Sequence, residues 1–177
     1  PELFGRNVEA LEQVQPEPLK PEDISFVLGS TWIPVKYYQD FMYEKFATNR
    51  YYRENGIHIE FAEYTGAYFI TNKGAEKNSI AVNSTYGTER LNAYEIMEYT
   101  LNLKTVEVRD RQEYEDPETG EEKVRYVLNK RETLLAREKQ AQMKMEFESW
   151  LFAEPERGVA LTQLYNDRFN NIRPRTY

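Results

Sequence analysis

The sequence predicts an α+β fold in which about five helices pack on small antiparallel β-hairpins. Two observations predict it: apolar residues recur at helical spacing in several segments, and two pairs of short alternating segments flank tight-turn residues. The chain has 177 residues, 40% of them hydrophobic and 30% charged, which is enough to bury a core of its own. We therefore expect a globular domain rather than a disordered segment.

Residues 1–21 predict an extended arm or linker that includes a short helix at residues 6–14. Closely spaced prolines end this segment, and proline restricts itself and its predecessor to extended conformations. We expect residues 22–177 to form a single α+β domain. Because the sequence lacks an initial methionine and a polar C-terminal tail, we also expect this domain to be excised from a larger chain.

Two helices are predicted next. Proline and two acids at residues 21–23 are typical of a first helical turn, and Gly29 is typical of the residue that follows a helix. Pro34 begins a second helix at about residues 34–47, whose apolar side chains repeat at helical spacing. The pair resembles a helix-turn-helix, although nothing in the turn determines the crossing angle.

The first hairpin is predicted from alternating residues on either side of a turn at Gly66. Residues 57–63 predict one strand and residues 67–72 the returning strand, followed by a loop over residues 73–88. His58 alternates with apolar neighbours and is expected to face solvent. It is the single histidine of the chain, so no second histidine is available to hold a zinc ion with it.

The second half predicts a helix, a hairpin and two further helices. The bounds are about 91–103 for the third helix, 105–114 and 122–128 for the strands, 130–152 for the fourth helix and 155–170 for the fifth. Asn129 is a favourable N-cap with Glu132 in the capping-box position. Trp150 should be buried with Phe147 and Leu151 on the apolar side of the fourth helix.

The sequence indicates no active site. It has no cysteine, which excludes disulfides, thiolate metal ligands and a cysteine nucleophile. Residues 84–88 contain one glycine and no following lysine, so they do not form a phosphate-binding loop. We predict no catalytic residue, no metal, no cofactor and no enzymatic activity. No apolar run reaches the roughly 18 residues of a membrane span, so no membrane contact is expected, and the absence of cysteine favours the cytoplasm.

Charged residues are unevenly distributed. Acids dominate residues 107–122, which predicts a solvated hairpin tip; a metal-binding or DNA-mimicking loop is the alternative. Bases dominate residues 123–139 and recur near the C-terminus, interleaved with aromatic residues that could stack on bases. The candidate contacts with the DNA backbone are Lys130, Arg131, Arg137, Arg173 and Arg175. The alternative is a solvated helix face over an aromatic core, which the net charge of −7 favours.

Four strings of residues resemble the linking region of a family of very large proteins from bacterial plasmids, conjugative elements and phages. The strings are Asp23-Ile24-Ser25-Phe26-Val27-Leu28-Gly29-Ser30-Thr31-Trp32-Ile33-Pro34, Tyr86-Gly87-Thr88-Glu89-Arg90-Leu91-Asn92-Ala93, Leu128-Asn129-Lys130-Arg131-Glu132-Thr133 and Tyr165-Asn166-Asp167-Arg168-Phe169-Asn170-Asn171-Ile172-Arg173-Pro174-Arg175-Thr176-Tyr177. The family joins an N-6 adenine-specific DNA methyltransferase module to a Swi/Snf-type superfamily-two helicase module. The resemblance covers most of the chain.

The resemblance implies a role beside two catalytic modules. The sequence contains neither the Asn-Pro-Pro-aromatic motif of the methyltransferases nor the Walker lysine and acidic box of the helicases. The resemblance therefore implies a non-catalytic connecting domain that positions DNA, with the flanking methyltransferase and helicase modules as partners. A purely structural or protein-interaction module without nucleic-acid contact is the alternative.

Overall fold

The computed structural model describes residues 17–170, and its chain groups into two compact units. Within the described residues, one unit is residues 27–150, and the other combines residues 17–26 with residues 151–170. The described residues confirm the α+β fold, with five α-helices and two small antiparallel two-stranded sheets. The helix predicted at residues 6–14 lies outside the described residues.

The larger unit contains four of these helices and both sheets. Its elements are α1 (Val35–Lys45), α2 (Arg50–Asn55), β1 (Ile59–Ala62), β2 (Ala67–Ile70), α3 (Ala93–Leu101), β3 (Arg109–Glu115), β4 (Glu122–Leu128) and α4 (Lys130–Leu151). A π-helical turn at Ala81–Thr85 interrupts the predicted loop. Asn92 begins α3 with a capping box, in which its side chain accepts from the Glu95 amide at 3.0 Å.

The structure differs from the predicted helices in two places. The helix predicted after Pro21 is a single 3₁₀ turn, Pro21–Asp23, because Ile24 is already extended and the Ser30 hydroxyl holds a turn by accepting from the Val27 amide at 2.9 Å. Gly29 follows this turn with a φ of 116°, and a Cβ there would lie 2.6 Å from the Leu101 carbonyl oxygen. The short helix α2 was not predicted, since its sequence has no apolar stripe.

Aromatic side chains form the centre of the core in the larger unit. The Phe147 ring lies 5.3 Å from Tyr38 and 5.2 Å from Phe41, and Phe41 lies 5.4 Å from Trp150. Phe147 and Leu151 are fully buried and Trp150 is 8% exposed, which confirms the predicted apolar side of α4. Helices α1 and α4 are thus joined by ring contacts that supply area and preferred edge-to-face geometry.

A second group of tyrosines is buried with its hydroxyls hydrogen-bonded. The Tyr94 hydroxyl lies 2.6 Å from Thr48 Oγ1 and 3.0 Å from Glu76, and the Tyr86 hydroxyl donates to Glu146 at 3.1 Å. Burial raises the pKa of Tyr94 well above its usual value. Burial, reinforced by the bond to Glu146, raises the pKa of Tyr86 to about 12.

We expect the fold to be lost in alkali through these tyrosines. Burial also raises the pKa of Tyr38. A raised pKa in the folded state contributes stability that is full below the unfolded pKa of about 10 and disappears as the pH rises through the folded pKa. Helical circular dichroism and part of the tyrosinate absorbance should therefore change together above pH 10. Tyr86→Phe should move this transition to higher pH; complete tyrosine ionisation before any helix loss would contradict the prediction.

The β1–β2 hairpin has one outer edge covered by a side chain of α1 and the other by Asn102, the residue that ends α3. Its register pairs Ile59 with Ile70 and Ala62 with Ala67, with the turn at Gly66 as predicted. Gln39 of α1 accepts from the Ile59 amide at 2.9 Å. On the other side, Asn102 accepts from the Tyr68 amide at 2.8 Å and donates to its carbonyl at 2.9 Å, as a neighbouring strand would. These contacts satisfy edge groups that otherwise invite another strand.

The smaller unit joins the start and the end of the described chain. Its helix α5 (Pro155–Tyr165) continues into a π-helical turn, Asn166–Asn170, so the predicted fifth helix has regular α geometry only in its first part. Asn166 accepts from the Leu19 amide at 2.7 Å, and Asn170 donates to the Glu17 carbonyl at 2.8 Å. The extended residues 17–20 are thus hydrogen-bonded to the chain that follows α5.

Candidate nucleic-acid interface

The β3–β4 hairpin, called the ribbon below, has both faces open to solvent. Its seven pairs run from Arg109↔Leu128 at the root to Glu115↔Glu122 near the tip. All residues of its two strands are exposed except Asp110 and Tyr114, which are partly buried. Because an isolated two-stranded hairpin is only marginally stable in water, its orientation depends on how the root is held.

Three side chains of α4 hold the chain that leads into the ribbon. Thr133 Oγ1 accepts from the Val108 amide at 2.9 Å. One turn on, Arg137 Nε donates to the Val106 carbonyl at 3.2 Å. Gln140 then accepts from the Val106 amide at 3.2 Å and donates to the Lys104 carbonyl at 2.8 Å. Their spacing of four and three residues places all three on one helix face.

This arrangement corrects the predicted start of the third strand. The alternation over residues 105–108 is real, since Val106 and Val108 are buried and their neighbours exposed. Yet β3 begins only at Arg109, because the preceding backbone pairs with side chains of α4 instead of a strand. Gln140, only 3% exposed within the apolar stripe of α4, is the signal in the sequence that could have revealed it.

A second network fixes the first pair of the ribbon to α4. Asn129 donates its amide to the Val108 carbonyl at 2.8 Å, and its side chain accepts from the Glu132 amide at 3.0 Å, which confirms the predicted N-cap. Arg90 donates to Asp110 at 2.6 Å, and Asn129 Nδ2 donates to the same carboxylate at 2.9 Å. Arg90 and Asn129 together hold the pKa of the Asp110 carboxyl below its usual range.

The predicted contact residues have different surroundings. Lys130 and Arg131 are exposed on the first turn of α4, and neither side chain has a hydrogen bond or ion pair with another residue of the 17–170 range. Arg137 is exposed but engages Val106 through Nε, so it anchors the ribbon root. Arg173 and Arg175 lie outside the described residues. The structure therefore brings together Lys130 and Arg131 at the root of the ribbon.

The other basic residues of the ribbon already have partners. Arg109 pairs with Glu107 at 2.9 Å and Arg111 with Glu113 at 2.7 Å. Arg125 donates to Gln112 at 2.6 Å and lies 4.8 Å above the Tyr114 ring. These exposed pairs are individually weak and screened by salt.

The acidic tip of the ribbon is organised as a turn. Asp116 accepts from the Glu118 amide at 2.9 Å and pairs with Lys123 at 2.8 Å. Lys123 and the Glu118 amide hold the pKa of the Asp116 carboxyl below its usual range. Across residues 17–170, no three carboxylate or imidazole groups are arranged to hold a metal ion.

The larger unit has two other polar sites, the surroundings of His58 and a groove beside β2. His58, predicted within the first strand, directly precedes β1; it is half-exposed, and its ring nitrogens lie 2.8 Å from Glu60 and 3.2 Å from Thr71 Oγ1. An open groove of about 590 Å³ lies between β2 and α3. Its polar side chains Glu98 and Asn102 are engaged with the edge of β2. The polar side chains of this groove thus belong to the contacts that cover the edge of β2.

Comparison with known proteins assigns a family. A model of the domain of unknown function DUF8437 matches residues 27–171. The chain belongs to this family. No curated protein and no solved structure matches the chain significantly. The DUF8437 match includes the ribbon and all of α4, whereas Arg173 and Arg175 follow its last residue. Within residues 17–170 of this DUF8437 chain, no helix is both long and apolar enough to cross a membrane.

Proposed function

We propose that this chain is a non-catalytic connecting domain of a DNA methyltransferase–helicase fusion protein, and that it positions duplex DNA at the ribbon root. The observation that carries the proposal is the pair Lys130 and Arg131, exposed and without an ion-pair partner in the described chain. They lie where the ribbon meets α4. The proposal assigns no chemical step to this chain.

The geometry of the root suits contact with phosphates. Lysine and arginine neutralise backbone phosphates and release counterions, and the start of a helix adds partial positive charge. The residues around Lys130 and Arg131 are held by Asn129, Thr133 and Arg137, so little backbone conformational freedom would be lost on binding. The acidic tip would be repelled by phosphates, which favours contact through the root.

A protein-interaction module is the second candidate, and the exposed apolar side chains near the root favour it. Tyr126 is 64% exposed, and Leu128, Leu134 and Leu135 are exposed as well. The net charge of −7 supports this alternative. Tyrosine and leucine exposed beside a rigid root are typical of a contact surface for another protein.

We expect weak, sequence-independent binding to duplex DNA, with a dissociation constant of about 10⁻⁴ to 10⁻⁶ M that rises with salt. Fluorescence anisotropy across a salt series measures the slope of log affinity against log salt. Replacing Lys130 and Arg131 with glutamine together should reduce the magnitude of this slope by about two, since each phosphate contact contributes about 0.9. Neutralising Arg173 and Arg175 should make the slope shallower in the same way.

Arg50→Gln is the matched control, because Arg50 is exposed on α2 and its loss removes one positive charge far along the chain from the root. Its slope should equal that of the wild type. If the wild type does not bind at low salt, or if the neutralised variants bind identically, the protein-interaction module takes the place of DNA contact. The fusion context is tested separately by the full-length polypeptide, in which methyltransferase and helicase motifs should flank this chain.

A further inference from the structure

The outer edge of β3 presents unpaired backbone N–H and C=O groups, and the bonds at the two ends of the ribbon show which residues they belong to. The Asn129 amide donates to the Val108 carbonyl at 2.8 Å, and the Asp116 amide donates to the Glu121 carbonyl at 2.9 Å. In an antiparallel pair such bonded positions alternate. The backbone N–H and C=O groups of the even-numbered residues of β3 therefore point towards β4. Those of the odd-numbered residues Arg111 and Glu113 point away from it.

This edge is left open where the other hairpin is covered. Both edges of β1–β2 are capped by Gln39 and Asn102. On β3, Arg90 covers only the root by donating to the Arg109 carbonyl at 3.1 Å. The outward backbone groups of Arg111 and Glu113 have no partner among residues 17–170. An open edge of this kind is a template for an added strand.

The charges along β3 are complementary to a second, antiparallel copy of the same strand. If Gln112 lies opposite Gln112 of the copy, Arg111 lies opposite Glu113, and Arg109 lies opposite Glu115. All four charged side chains project from one face, since residues two apart share a face. Moving the centre to Arg111 or Glu113 would instead place that residue opposite itself, which is unfavourable.

We infer that β3 pairs antiparallel with β3 of a second copy of this chain, forming a four-stranded sheet with a two-fold axis at Gln112. Charge and backbone geometry select the same register. In it, Arg111 and Glu113 of opposite charge lie across from each other, and both have backbone groups that point outward. The interface is isologous, the usual kind in two-fold dimers. This inference does not depend on the proposed DNA contact.

The same register gives the acidic tip a partner. With Gln112 at the axis, Asp116 of one ribbon lies opposite Val108 of the other copy. Arg90 and Arg109 lie at that root on the β3 side. The Arg111 and Glu113 side chains of one chain already form an ion pair, in which they are 57% and 66% exposed. Because exposed ion pairs contribute little free energy, replacing this pair by one across the interface costs little.

Cysteine cross-linking tests the register directly, because the natural chain has no cysteine. Gln112 would form a non-hydrogen-bonded pair with its copy, with Cα atoms about 4.5 Å apart, within the range of a disulfide. Gln112→Cys should give a disulfide-linked dimer of twice the 21.1 kDa chain mass on mild oxidation, reversed by reductant.

Arg125→Cys is the matched control. Arg125 lies opposite Gln112 on β4, and both variants lose the same Arg125–Gln112 hydrogen bond. A cross-link at position 112 and none at position 125 supports the inference. Cross-linking only at 125 would assign the contact to β4, equal cross-linking at both would indicate random collision, and none at either would indicate no ribbon contact. Each of these three outcomes overturns the inference.

Charge exchange tests the complementarity without a covalent bond. Arg111→Glu and Glu113→Arg each create two like-charge pairs across the axis, and each should raise the dimer dissociation constant about tenfold by sedimentation equilibrium. The double variant restores opposite charges and should restore dimerisation. Arg50→Glu, which removes an exposed ion pair on α2, should leave dimerisation unchanged. Thermal melts of each variant verify that the monomer is folded. A monomeric wild type, or no rescue in the double variant, would refute the pairing.

Discussion

Trp150→Ala is expected to lower the free energy of unfolding by about 3–5 kcal/mol, as truncation of large core aromatics does. Trp150 is 8% exposed, and its ring lies 5.4 Å from Phe41 and 6.2 Å from Phe147. Removing the indole would leave a cavity between α1 and α4 that these two rings can only partly fill. Chemical denaturation monitored by far-ultraviolet circular dichroism measures the change.

Met145→Ala is the control for this truncation. Met145 is on the same helix but 69% exposed, so its removal should change the free energy of unfolding by no more than about 0.5 kcal/mol. Equal losses in the two variants would mean that the effect arises from α4 in general. An unchanged stability in Trp150→Ala would show that the aromatic core is assigned to the wrong face.

Gln140→Met is expected to lower the free energy of unfolding by about 2–6 kcal/mol and to loosen the ribbon root. The substitution keeps the size of the side chain but removes its bonds to the Val106 amide and the Lys104 carbonyl. The buried Val106 amide left without a partner costs about 1–3 kcal/mol, and the part-buried Lys104 carbonyl and the buried Thr100 hydroxyl lose their bonds to Gln140 as well. Amide hydrogen exchange should accelerate at Val106 and Val108 more than in β1 and β2.

Gln142→Met is the matched control, since Gln142 is two residues along α4 and only partly buried. It should leave both the stability and the exchange rates near those of the wild type. Uniform acceleration of exchange throughout the larger unit in Gln140→Met would mean that the root does not open separately. Unchanged exchange at Val106 would remove Gln140 from the role of anchor.

The elements that the sequence predicted well depend on local patterns. The apolar stripes of α1 and α4, the cap at Asn129 and the turn at Gly66 each arise from residues within a few positions of one another. The short helix α2 was missed because it has no such stripe. The predicted helix before Gly29 failed because the Ser30 side chain stabilises a turn in its place.

The candidate site was predictable only in part, for a similar reason. The early turns of α4 contain few apolar residues, which predicts that Lys130, Arg131 and Arg137 are exposed, and all three are. Arg137 lies on the same helix and is equally basic, but its Nε binds a carbonyl 31 residues away in sequence. Such a side-chain-to-backbone bond depends on tertiary packing, which no local pattern records.

The covered edges of β1–β2 also set an order of events on the ribosome. Gln39 precedes the hairpin in the chain, so the β1 edge can be capped as soon as the hairpin forms. Asn102 follows Tyr68 by 34 residues, which at about 5–20 residues per second takes about 2–7 s to synthesise. During those seconds the β2 edge lacks the bonds from Asn102, and an uncovered edge invites pairing with another strand. Emergence of α3 ends that exposure, so Asn102 protects the chain while it is still being made.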